Sequence, residues 1–174
     1  AYLAIRPSLE LARDFHVNVN FLPYTTSYER IGVTTSVEKD MQRRPPSAAA
    51  DRKARMYYTA ARQYAALQNL PFRTPHRLLD STLAHRGFLF AKQWNLHVPY
   101  YMYVCVRGWG SGWREFELES EAAITNALGA VGCPTFEDTP DLSEQLIRIE
   151  EDAHASGFVG VPHYVFTPDG SSRE

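Results

Sequence analysis

Cysteine is scarce: 174 residues contain only Cys105 and Cys133, far apart in the chain. They form neither a C-x-x-C redox pair nor a zinc-ligand pattern, so no metal is expected. Cys105 lies in an apolar stretch and reads as a buried core residue, whereas Cys133 precedes Pro134 in a loop. This usage fits unpaired thiols in a reducing, cytoplasmic compartment better than a structural disulfide. Long apolar runs are also lacking. None approaches the roughly 20 residues that span a bilayer, so no membrane partner is expected. An excess of one charge is missing too: the formal net charge is -2 and the pI about 6.3, which gives no electrostatic footprint for nucleic acid. Internal repeats and low-complexity tracts are absent. What remains is a composition with 44% hydrophobic and 22% charged residues, typical of a globular protein. The length suits one domain with room for an insertion.

The rest of the chain is organised around the stretch Gly157-Phe158-Val159-Gly160-Val161-Pro162-His163-Tyr164-Val165-Phe166-Thr167-Pro168-Asp169-Gly170. It reads as helix stop, loop, short strand and turn. Gly157 suits the left-handed residue that closes a helix. Pro162 stands directly before an apolar run and can only begin that strand. Pro168-Asp169-Gly170 signals a turn.

Taken in order, residues 1–15 predict a helix that Pro7 kinks or delays. Val17, Val19 and Phe21 alternate with Asn18 and Asn20, which predicts a strand. Residues 24–50 are weakly patterned and read as a long connection; Arg43-Arg44 within it is a solvated pair or an anion contact. From Asp51 the spacing predicts a helix with Met56, Ala60, Tyr64 and Leu67 on its apolar face. Residues 78–94 predict another, carrying Leu83, Ala84, Gly87, Phe88, Ala91 and Trp94 in one stripe, with Gly87 permitting close helix packing. Residues 98–113 fit a helix, since Pro99 suits its first turn, although a strand also fits Tyr101, Tyr103 and Cys105. Ser120 is expected to cap a short helix, and Asp141 the next one, with Leu142, Leu146, Ile149 and Ala153 as its stripe. Two strands cannot form a stable sheet alone, so the sequence implies sheet partners that it does not contain.

Several segments resemble a known family. Gly160-Val161-Pro162 resembles the cis-proline loop of DsbA-like thioredoxin-fold proteins, in the branch of 2-hydroxychromene-2-carboxylate isomerases and kappa-class glutathione transferases. Asp80-Ser81-Thr82-Leu83-Ala84-His85-Arg86 resembles that family's Asn-Ser/Thr-x-x-Ala-His-Arg segment, with Asp80 where Asn is usual. Ala1-Tyr2-Leu3-Ala4 resembles the opening of its first helix. The resemblance implies an α/β thioredoxin-like fold with an all-helical insertion. Residues 1–47 and 157–174 would form the thioredoxin-like domain, incomplete at both ends, and residues 48–156 the helical insertion. It implies a cis peptide between Val161 and Pro162. It also places the principal catalytic residue, a Ser or Cys in a turn, before Ala1.

The implied activity is a glutathione-dependent isomerase acting on an aromatic or conjugated small molecule. Val161 and Pro162 would hold the thiol cofactor, with Asp80 and Lys53 as further contacts. Each residue also has a plainer reading. Asp80 caps a helix, and Lys53 is a surface lysine. His85 and Arg86 are packing or solvated groups. His163 is a strand residue rather than a base, and Trp109 and Trp113 are core aromatics rather than walls of a substrate pocket. Two other functions stand beside the isomerase: a disulfide oxidoreductase with its C-x-x-C before Ala1, and a non-catalytic binding module. A homodimer stays open.

Overall fold

Helices make up all of the regular structure among the described residues, 1–15, 17–26 and 47–167, of this computed structural model. A short 3-10 helix, Tyr2–Ala4, leads into α1, Ile5–Phe15; then follow α2, Ala48–Leu67; α3, Thr82–Gln93; α4, His97–Ser111; α5, Glu121–Ala130; and α6, Pro140–Ala155. Helix α3 is central and packs against α4, α5 and α6.

The local sequence explains most of these elements. Pro7 falls in the first turn of α1, where its missing N–H costs nothing, and the helix begins late as that proline predicts. Asp80 Oδ1 accepts from the Thr82 amide at 2.9 Å and from Thr82 Oγ1 at 2.6 Å, which secures the start of α3. Ser120 caps α5 as expected, its hydroxyl accepting from the Ala123 amide at 3.4 Å. Gly157 follows α6 at φ +79°, the left-handed conformation the sequence marks for it. In α6 the N-cap position is Thr139, with Pro140 opening the helix; Asp141 lies in the first turn instead of capping it. There its charge still complements the positive helix end.

The core gathers Ala84, Phe88, Leu89 and Ala91 of α3 with Tyr100 and Val104 of α4, Ile124 and Leu128 of α5, and Leu142 and Leu146 of α6. A second cluster joins Tyr2, Ala65, Leu70 and Cys105, which seats the 3-10 helix on α2 and α4. Tyr2 Oη is buried, and desolvation pushes the phenol up to about 12. The aromatic face of this cluster is Trp109, stacked 4.7 Å from Phe72 and edge-on to Trp113 at 5.6 Å.

Three expectations need correction. First, the α/β thioredoxin-like fold is overturned: the described residues are all-helical, with no strand or sheet. Residues 17–21 carry the expected alternation and residues 163–167 the expected apolar run, but among the described residues neither pairs into a strand. Side-chain period alone does not make a strand; paired backbone groups do. Second, the predicted apolar face of α2 points outward, with Met56 62%, Tyr64 62% and Leu67 80% exposed. The less exposed side of the helix carries Ala54, Tyr58, Ala61 and Ala65, and the small, buried Ala65 lets Tyr2 approach. Third, Trp94 is exposed at the end of the α3 stripe. Residues 27–46, including Arg43 and Arg44, and residues 168–174 of the predicted turn lie outside the described residues.

One polar latch holds the loops around α3 and α5. Arg77, only 10% exposed in its side chain, donates to Glu117 at 2.6 Å, to Glu119 at 2.8 Å and to the Leu78 carbonyl at 2.8 Å. Glu119 also accepts from the Asp80 amide at 2.9 Å. Removing the cation leaves two carboxylates facing each other with one partly desolvated. Arg77→Met is expected to lower unfolding free energy by about 2 kcal/mol, below the value for a fully buried pair because Glu117 is half exposed. Urea denaturation checks this; an unchanged midpoint would show that the latch contributes nothing.

Candidate ligand-binding cleft

Residues 20–26 run along α3 and α6 and are tied to both. On the α3 side, Lys92 Nζ donates to the Phe21 carbonyl at 2.8 Å and to Asn20 Oδ1. Thr25 Oγ1 lies 2.9 Å from His85 Nδ1. On the α6 side, the Thr25 amide donates to Glu150 Oε1 at 3.1 Å, and Tyr24 Oη lies 3.1 Å from His154 Nε2. The Tyr24 ring also packs on Phe158, centroids 4.1 Å apart, just beyond the end of α6.

These contacts frame a cleft of about 420 Å³. Thr82 and Arg86 of α3 form one wall, Glu150 and His154 of α6 the other, and Tyr24 and Thr25 lie between them. On α6 the cleft-lining residues Ser143, Ile147, Glu150 and His154 follow helical spacing, one stripe beside the core stripe. The size is within the range of small-molecule sites. A smaller hollow of about 260 Å³, lined by Gln93, Asp141, Leu142, Glu144 and Arg148 among others, contains none of the candidate binding residues that the sequence suggests.

The electrostatics of the cleft are mixed. Arg86 makes a bidentate pair with Asp138, Nε to Oδ1 at 2.7 Å and Nη2 to Oδ2 at 2.6 Å. Its fork is therefore fixed in orientation while Nη1 stays outside that pair. Burial pushes the His85 imidazole down to about 4, against a weaker upward pull from the Asp80 carboxylate. The ring is neutral near pH 7 and bonds Thr25 as a neutral group. Among the described residues no group of three His, Cys, Asp or Glu side chains is placed to hold a metal ion.

The sequence-predicted residues fall in different places. Thr82 and Arg86 of the Asp80–Arg86 segment line the cleft, while His85 supports it from behind through Thr25. Asp80 bonds the Thr82 amide at the start of α3, but the N-cap position is Ser81, so Asp80 stands one residue before the cap its plainer reading gives it. Lys53 sits on the exposed side of α2 with its ammonium 5.9 Å from the Tyr57 ring, away from the cleft lining. Val161 and Pro162 are exposed in the segment after α6, and the peptide between them is cis. His163 stands edge-on to Phe158 at 5.6 Å, so the proline loop adjoins the cleft through the Phe158–Tyr24 contact. Trp109 and Trp113 pack with the core aromatics and line neither the cleft nor the smaller hollow. Both cysteines are free and buried; burial pushes the Cys105 thiol up to about 12 and raises Cys133 as well.

Tyr24, Thr25, Glu150 and His154 are the residues that sequence reasoning missed. The 143-147-150-154 spacing is the signal that would have found the α6 wall.

No protein-family model and no curated protein sequence matches the chain. Fold and cleft together define a chain whose described residues are all-helical, with a cleft of mixed charge between two of its helices. No helix among the described residues is long and apolar enough to cross a membrane.

Proposed function

We propose that the chain carries the thiol-binding cleft of a glutathione-dependent isomerase whose substrate is a conjugated, aromatic small molecule. The observation that supports this most directly is the placement of Thr82 and Arg86. They belong to the segment that resembles the isomerases, and both line the one cleft that also adjoins the proline loop. The cysteines support an external thiol. Thiolate is the nucleophilic form, and desolvation keeps Cys105 and Cys133 protonated at neutral pH.

Thr82, Arg86 and Glu150, which line the cleft, would hold the thiol compound beside the substrate. When bound, glutathione would supply a nucleophilic thiolate, which would divide one difficult double-bond rotation into easier steps without any oxidant.

Isothermal titration of glutathione into the full chain, beside an assay of cis–trans isomerisation of a conjugated aryl enone, tests this reading. One saturable site and glutathione-dependent turnover are expected. Saturable binding without turnover would favour the binding-module reading, and no binding would overturn both.

A further inference from the structure

We infer that the cleft recognises an α-amino-acid head group, the carboxylate going to Arg86 on α3 and the ammonium to Glu150 on α6. A guanidinium has five N–H groups. In Arg86 the pair with Asp138 uses Nε and Nη2, holds the plane still and leaves Nη1 for an incoming oxygen. Glu150 is half-buried, and its Oε1 is taken by the Thr25 amide. Its Oε2 has no bond to any described residue and is the acceptor for an ammonium.

The two charges stand on different walls of one cavity. A ligand with only negative charge meets the Glu150 carboxylate; one with only positive charge meets the Arg86 guanidinium. A head group bearing both signs satisfies both walls, and complementarity of this kind sets specificity more than raw affinity. The Tyr24 Oη–His154 Nε2 bond keeps the aromatic side of the cleft in place next to that head group. This inference rests on the glutathione reading, because the γ-glutamyl end of glutathione carries such a head group.

The test uses the full chain at neutral pH and two ligands: glutathione and glutaryl-cysteinylglycine, which lacks only the ammonium. Wild-type protein is expected to bind glutathione at least about tenfold more tightly, the size of one charge-assisted hydrogen bond. Glu150→Gln should erase that preference by weakening glutathione alone. Arg86→Gln should weaken both ligands by about tenfold or more. Glutathione esterified at the γ-glutamyl α-carboxyl should reproduce that loss on the wild-type protein, where folding is not in question. Equal affinity of the wild type for the two ligands, or an equal loss for both in Glu150→Gln, would overturn the inference and leave the glutathione reading standing. No binding of glutathione to the intact protein would end both.

Discussion

Gly87→Val is expected to lower unfolding free energy by about 4 kcal/mol, at the upper end for overpacking a close-packed core. A Cβ at position 87 would lie 2.6 Å from Tyr100 Oη and 2.8 Å from Ile124 Cγ2. Neither neighbour can yield cheaply. Tyr100 and Ile124 are fully buried, and the Tyr100 hydroxyl donates to the Ala84 carbonyl at 3.0 Å. Pushing the ring aside breaks that bond and leaves a buried donor and acceptor unpaired. Gly87→Ala adds the same Cβ but gains helix propensity worth about 1 kcal/mol, so its net cost is about 2 kcal/mol. Gly129→Ala on α5 is the control. A Cβ there meets nothing within 4 Å, and the change is expected to be neutral or stabilising by up to about 1 kcal/mol. Urea denaturation of the three variants separates these outcomes. Equal midpoints for Gly87→Val and Gly129→Ala would mean that α3, α4 and α5 do not meet at Gly87.

That contact was legible in the sequence because a glycine inside a strong apolar stripe has few uses other than close approach. The α3, α5 and α6 helices were legible for the same reason: Ala84, Phe88 and Ala91, or Leu142 and Leu146, recur at helical spacing and are buried where that spacing puts them. In α2 the helix was legible but its inward face was not. Its sequence carries two stripes, a bulky one through Met56, Tyr64 and Leu67 and a small one through Ala54, Ala61 and Ala65. Bulk predicts burial only when the partner surface has room. Here Tyr2 packs at Ala65, and the small side chain admits it. The strand expectations failed on a different point. Alternation in Val17-Asn18-Val19-Asn20-Phe21 describes side chains, whereas a strand exists through hydrogen bonds to a neighbour elsewhere in the chain.

The cleft was half legible. The Asp80–Arg86 segment drew attention to Thr82, His85 and Arg86, all of which serve the site. The opposite wall comes from residues far along the chain, and nothing in the local pattern of Tyr24-Thr25 announces a bond to Glu150. Long-range polar pairings of this kind depend on how helices dock, which periodicity does not encode. Lys53 shows the converse. Its place on an exposed helix face follows from α2 packing through its alanine stripe.

Acidification from pH 6.5 to about 4 is expected to remove about 3 kcal/mol of stability through His85 alone. The unfolded chain takes up a proton on His85 near pH 6.5, whereas the folded chain holds the ring neutral until about pH 4. Between those values the unfolded state binds more protons, so stability falls as pH falls. Above pH 6.5 both states are neutral and the contribution is flat. Desolvation is the main cause, and the weaker attraction of Asp80 only moderates it. His97, lowered by burial and by Lys92, acts in the same direction, so His85→Gln should remove part of the acid slope and leave the His97 part. Glutamine keeps a polar group facing Thr25 without a titrating ring. Unfolding midpoints in urea, measured across this pH window for the wild type and for His85→Gln, provide the check. Parallel curves would show that His85 is solvated in the native protein, and its bond to Thr25 would then hold residues 20–26 against α3 no better than water does.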